Sequence, residues 1–397
     1  MMVRRTALYM VGDVLSKISP FIILPLLTRI FSPEEFAIYA NYLLGINILC
    51  IFINGWSIAY LYPSFYKSKT RFKLVSSISV YVSFIIIILS FFLLIFSWSM
   101  SSSVVELWSL VFFSGAVFSI NTVYTTILQI KGDAVRFSYF NVGKSIFQLL
   151  LVYMYISLRL EPTVIGVVYI YLVTSIIYML FALFKLCRDR LLSFFVFSIF
   201  KDALSYGAPL IPNMALGYAK TSIDRVILLY VFGVSVIGVY SASFQLFSVI
   251  ILFSSSLIKG ITPELLSSIK SCNAQKVRKI TFFYIVSVVC VCVCVWCGMY
   301  FGGALFLGES FGNLKPYSFL SLSIALGAIG SIFTAYYQIF EKTKLLMSIT
   351  IFTTLLHMLS LYLGAKLFEV NGFIFCHIIS SLISVFILYA KGFRYVV

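Results

Sequence analysis

A chain of 397 residues that is 61% hydrophobic and only 11% charged, with a mean hydropathy of +1.07, cannot cover a water-facing surface, because soluble domains carry about 25% charged residues. The composition excludes a soluble domain and describes a polytopic membrane protein. A net charge of +16 would suggest nucleic acid as partner of a soluble chain, but here the basic residues cluster in short connections between apolar runs. That pattern sets membrane topology, and no nucleic acid is expected.

At about 20 apolar residues per crossing, the sequence predicts twelve spans, near 8–30, 36–62, 74–98, 105–130, 137–158, 163–186, 207–232, 235–258, 280–303, 317–340, 345–368 and 372–390. Residues 1–30 lack a small-residue cleavage site and carry Asp13 and Lys17 where a signal peptide needs an apolar core, so the first span is expected to be retained. With the N-terminus inside, the inner connections hold 20 Lys and Arg, and the outer ends hold 4: Arg29, Arg159, Lys315 and Lys366. Both termini are therefore expected in the cytoplasm.

The first span pairs Asp13 with Lys17 at i, i+4. Asn47 and Asn54 on the second, Asn121, Thr125 and Gln129 on the fourth, and Asn141, Lys144 and Gln148 on the fifth form one-sided polar stripes. Hydrogen bonding between helices is the expected role of the Asn, Gln and Thr side chains. Lysine is different, since holding helices together does not require net positive charge.

Near the midpoint, the apolar stretch 191–200 is too short to span and is expected to lie along the inner surface. It divides the chain into an N-terminal six-helix lobe (1–190), a cytoplasmic interfacial linker (191–206) and a C-terminal six-helix lobe (207–397). An internal repeat agrees: FSPEEFAIY (31–39) and FGVSVIGVY (232–240) are offset by 201 residues and share both end aromatics. Because each half has six spans, the repeats are parallel, related by an axis along the membrane normal.

The seventh span is the most informative. It holds Lys220, Asp224 and Arg225 within six residues, and each charge facing lipid at the bilayer centre would cost roughly 2.5–3.5 kcal/mol. Asn213, Gly217, Lys220 and Asp224 follow at i, i+4, i+7 and i+11, on one helix face, with Arg225 beside it. This helix is expected to line a polar, cationic interior, with Lys220 and Asp224 as a second i, i+4 pair. Pro20, Pro25, Pro209 and Pro212 are expected to bend the first and seventh spans.

Later spans offer less. Cys290, Cys292, Cys294 and Cys297 point in several directions from one apolar helix, with no acidic or His neighbour, and are read as small packing residues. His357 and His377 stand alone on apolar spans and are read as packed rings with satisfied nitrogens rather than a proton relay. The longest outer connection offers only Glu309 and Lys315, so no catalytic constellation is expected. No metal site or cofactor is expected either.

The residues P-L-I-P-N (209–213), Asp224-Arg225, Gly238-Val239-Tyr240 and Thr262-Pro263, with Pro25–Arg29, Ser32–Glu35 and Ala37–Tyr39 in the first half, carry a resemblance. The chain resembles the polysaccharide transporter branch of the multidrug/oligosaccharidyl-lipid/polysaccharide exporter superfamily, and most of all Wzx-type O-antigen flippases. Ala37 stands where that family usually has Gly, and Tyr60 and Tyr62 where it often has Arg. The resemblance implies an all-α, MATE-like membrane protein: twelve transmembrane helices in two six-helix pseudo-symmetric lobes around a central cavity.

It also implies flipping of undecaprenyl-pyrophosphate-linked oligosaccharide, a surface polysaccharide repeat unit, from the cytoplasmic to the outer leaflet of a bacterial inner membrane. A polymerase and a chain-length regulator would be pathway partners. The residues fit such cargo independently, since a pyrophosphate needs fixed cations to replace its hydration. Lys17, Lys144, Lys220 and Arg225 are the candidates, with Asn213, Asn141 and Gln148 for sugar hydroxyls and Asp13 and Asp224 for charge pairing or coupling. The alternative is a cation-coupled exporter of drugs or metabolites, whose cavity should instead be lined by carboxylates.

Overall fold

The structure, a computed structural model, describes residues 15–16, 19–100, 103–158, 161–271, 273–312, 314–339 and 343–392. Every regular element among them is a helix. In chain order these are α1 (Ser19–Ile30), α2 (Pro33–Lys67), α3 (Lys69–Met100), α4 (Ser103–Ile130), α5 (Ala134–Leu158), α6 (Val164–Arg188) and α7 (Phe197–Gly207). They continue as α8 (Ile211–Phe232), α9 (Val234–Lys270), α10 (Ala274–Phe306), α11 (Lys315–Ser318), α12 (Leu320–Ile339) and α13 (Thr343–Gly392).

Nine of the described helices are long and apolar enough to cross a membrane, the short α11 running on into α12 as one crossing. Ile85, Ile88, Leu89, Phe92 and Phe96 of α3 stand exposed, as expected of a helix whose outer face meets lipid rather than water. The chain is a multi-pass membrane protein.

α13 is two crossings. Its backbone leaves helical geometry at Phe368 and Glu369, the latter at φ 55° and ψ −149°. His357 and His377, about 30 Å apart on a straight helix, lie with ring centroids 4.8 Å apart. The element is therefore a helical hairpin, in accord with the predicted break between 368 and 372. The arms touch at two glycines: a Cβ on Gly364 would lie 2.6 Å from the Gly372 carbonyl oxygen, and one on Gly372 2.4 Å from that of Gly364. With α1 and α8, the helices account for the twelve predicted crossings.

Pro209 and Pro212 stand where α7 gives way to α8. Pro209 lies in a 3-10 turn (Ala208–Leu210) and Pro212 at the second position of α8. Both occupy a helix start, where a missing N–H leaves no helical bond unmade. The interfacial segment is extended over 191–196 and then forms α7. It is tied to α3 by the Ser77 hydroxyl, which accepts from the Ser193 N–H at 2.7 Å, and by Arg71–Asp202 at 2.5 Å.

By its contacts the chain forms two units, one built on Ile38–Tyr218, the other on Pro20–Ala37 and Ala219–Val397. In the first, Trp56, Tyr60, Leu61, Phe72, Val75, Tyr124 and Phe140 belong to one buried cluster. Serines let α3 and α4 approach closely, and most return their hydroxyl to a carbonyl of their own helix, as Ser76, Ser79 and Ser83 do four residues back at 2.8–2.9 Å. The expected interhelical glue is present: Asn54 Nδ2 donates to Ser83 Oγ at 2.7 Å, and Asn121 Nδ2 to the Ser175 carbonyl at 3.1 Å.

In the second unit, Tyr240, Phe247, Tyr284, Tyr336, Tyr337 and Phe373 are fully buried. The two repeat segments meet here. α2 begins at a capping box, Ser32 N–H to Glu35 Oε2 at 2.9 Å and Glu35 N–H to Ser32 Oγ at 3.3 Å. α9 begins 201 residues later, and its Gly238 faces that start: a Cβ there would sit 1.8 Å from the Pro33 carbonyl oxygen. Ala37, at the matching repeat position, is fully buried.

Candidate functional site

α5 is the least apolar of the nine candidate spans and the least covered: 6% of its window is buried, against 72% for α4. Its stripe of Asn141, Lys144 and Gln148 is half-buried. Asn141 Nδ2 donates to the Phe137 carbonyl of its own helix at 3.2 Å.

Lys144 is the outlier. Its Nζ is buried, with no hydrogen-bond partner among the described residues. It stands 4.6 Å from the Phe118 ring centroid and 5.8 Å from that of Tyr171. Tyr171 in turn meets Tyr42 edge-on at 6.0 Å, and Tyr42 donates to Ser114 Oγ at 2.6 Å. An ammonium held by ring faces alone has recovered only part of its hydration energy. Among the described residues none of its three donors is taken.

The second polar group lies in the other unit. Asp224 of α8 is 1% exposed, at a depth where an isolated carboxylate could not persist. Its Oδ1 is 3.2 Å from His357 Nε2 and its Oδ2 is 3.0 Å from His377 Nε2. The Tyr240 hydroxyl of α9 donates to Oδ2 at 2.5 Å. The far nitrogens are also occupied: His357 Nδ1 meets Ser380 Oγ at 2.6 Å, and His377 Nδ1 meets Ser323 Oγ of α12. Arg225, half-buried, lies within electrostatic reach of Asp224 and Tyr240.

These contacts correct one expectation, that the histidines stand alone, and add partners to Asp224. Asp224 has both carboxylate oxygens engaged from α9 and α13, while its expected partner one turn away, Lys220, has its side chain outside the described residues. The histidines are not isolated, because the α13 hairpin brings both to one carboxylate; their nitrogens are satisfied, as expected of packed rings, but by shared polar partners. The hairpin was the missed signal, since both lie two to three helical turns from its break and hence at one depth. Asp13 and Lys17 lie outside the described residues, as do the side chains of Asn213 and Lys220.

No protein-family model matches the chain. It is similar to Lsg locus putative protein 1 of Haemophilus influenzae, 23% identical over 399 residues that cover 97% of this chain and 96% of the relative. Among solved structures it is similar to an inward-facing multidrug resistance MATE family transporter of the MOP superfamily, with TM-score 0.74 and 15% identity over 96% of this chain and 95% of that one. It is also similar to a MOP superfamily transporter from Pyrococcus furiosus in which reverse polarity of the binding pocket suggests a different function, with TM-score 0.67 and 16% identity over 99% and 95% of the two chains. The chain has the MATE fold.

Proposed function

We propose that the protein is a membrane transporter for an anionic, lipid-linked oligosaccharide, which it carries from the cytoplasmic to the outer leaflet by alternating access. The undecaprenyl-pyrophosphate class is the cargo that best suits its residues. The observation that carries this reading is Lys144, a buried ammonium whose described neighbours are aromatic rings and a thiol rather than a carboxylate. A pyrophosphate offers the acceptor oxygens that such a group lacks. Asn141 and Gln148 flank it on the same stripe and suit sugar hydroxyls. Arg225, Lys17 and Lys220 extend the cationic set. The Pyrococcus transporter with the reversed pocket gives a precedent for this fold departing from a single pocket polarity.

A cation-coupled exporter is the second reading, favoured by the likeness to a multidrug resistance transporter. It requires a carboxylate open to cationic cargo. Asp224, the one carboxylate buried below a tenth exposure among the described residues, is engaged at both oxygens by its own unit.

The deciding experiment deletes the gene and follows lipid-linked repeat units by leaflet. Accumulation on the cytoplasmic side, restored to normal by the wild-type chain but not by Lys144→Ala, is the expected result. Normal surface polysaccharide in the deletion strain, with loss of efflux of a fluorescent organic cation, would reverse the assignment.

A further inference from the structure

The hydrogen bonds around the two histidines fix more than their positions. The Ser323 hydroxyl donates to the His377 carbonyl at 3.0 Å, and the Ser380 hydroxyl donates to the same carbonyl at 3.2 Å. Ser323 Oγ also lies 2.7 Å from Ser381 Oγ, and Ser380 Oγ lies 2.6 Å from His357 Nδ1, so each serine's single hydrogen has more than one acceptor within reach. With those hydrogens on the carbonyl, both serines accept from the imidazoles and each Nδ1 carries the ring proton; with the hydrogens on Nδ1, each Nε2–H donates to Asp224 instead. In the Nδ1–H tautomer both Nε2 atoms present a lone pair, and both aim at the Asp224 carboxylate at 3.2 and 3.0 Å. In that tautomer the two lone pairs and the carboxylate converge, and a cation held between them removes their mutual repulsion.

The geometry points to a site for a divalent transition metal of the zinc class, held by Asp224, His357 Nε2 and His377 Nε2. One ligand atom from each residue lies within 4.8 Å of the others. Ligands about 2.0–2.1 Å from a tetrahedral zinc are about 3.3 Å apart, close to the 3.2 and 3.0 Å from the two Nε2 atoms to Oδ1 and Oδ2 of Asp224. Two imidazoles and a carboxylate suit zinc, cobalt and nickel rather than magnesium or calcium.

The surroundings are those of a built site. The Nδ1 opposite each ligating nitrogen is hydrogen-bonded to a serine, which holds the ring's orientation. The Tyr240 hydroxyl steadies the carboxylate at 2.5 Å. A dication with one carboxylate leaves a net charge of +1 beside Arg225, the same as two imidazolium rings would. What distinguishes them is that one metal replaces two separate buried protons. The ion would tie α8 to both arms of the α13 hairpin.

The test uses the full-length chain with a tag free of histidine, in lipid nanodiscs, stripped by chelator and titrated with Co²⁺. The expected result is about one ion per chain with the ligand-field bands of nitrogen and oxygen donors. That ion should be lost in His377→Gln and kept when Cys290, Cys292, Cys294 and Cys297 are all changed to Ser. The thermal midpoint of the wild type should rise with Co²⁺, and that of His377→Gln should not. Thiolate-to-cobalt charge-transfer bands would overturn the assignment, as would undiminished binding in His377→Gln. So would a wild-type midpoint that responds to pH but not to metal, which would give the triad to protons. Should His377→Gln fail to fold, the wild-type spectrum alone decides between these outcomes.

Discussion

Replacing Lys144 by Met separates stability from transport. The change keeps the length of the side chain and removes a charge whose Nζ is buried and lacks a hydrogen-bond partner among the described residues. Burying an ammonium costs several kcal/mol after relaxation. Two ring faces, at 4.6 and 5.8 Å, return up to about 2 kcal/mol each in a desolvated setting. The balance leaves Lys144 a net liability, and Lys144→Met should stabilise the protein by about 1–2 kcal/mol, within the range for replacing buried charges by apolar groups of like volume. In a chain this long that raises the thermal midpoint by roughly 1–4 °C. The same substitution should abolish surface polysaccharide in a complementation assay, and Lys144→Arg should retain it. A midpoint lowered by Lys144→Met would refute the energetic reasoning, and wild-type polymer in that variant would refute the functional one.

Other substitutions test the frame that holds the sites. Glu369, at φ 55° and ψ −149°, occupies a region that strains any residue with a Cβ by about 1–3 kcal/mol. Glu369→Gly should therefore stabilise by about 1 kcal/mol, read as a raised midpoint in a thermal melt. Gly238→Ala would drive a Cβ to 1.8 Å from a backbone oxygen, and shifting two helix starts costs about 1–3 kcal/mol or more; normal expression and melting would show that the contact is not held in solution. Tyr240→Phe deletes the 2.5 Å donor to Asp224 and should cost about 1–3 kcal/mol, measured in the same way. Asp202→Asn, in an ion pair whose side chains are 30% and 52% exposed, should change stability by less than about 1 kcal/mol.

Much of the architecture was legible in the amino-acid order, because a membrane imposes a simple code. Runs of about 20 apolar residues mark crossings, and the break between 368 and 372 correctly divided what forms one continuous element in α13. The asparagines at 54 and 121 announced hydrogen bonding between helices, and their partners are of the expected kind. Lys144 was marked by its stripe on α5, although nothing in its neighbourhood along the chain says that Phe118 and Tyr171 would enclose it.

The Asp224 group was not legible, and the reason is geometric. Helical periodicity relates residues up to a few turns apart on one face, so it offered Lys220 as the partner of Asp224. Among the described residues, the contacts of that carboxylate come from positions 16, 133 and 153 residues away. Only the reversal of α13 at Glu369, and the packing of both its arms near α8, could bring two single histidines to one carboxylate. The order of residues determined how many helices cross and which faces carry charge; the tertiary structure alone decided which charges meet, because contacts between helices depend on rotation and depth that no single-helix pattern encodes.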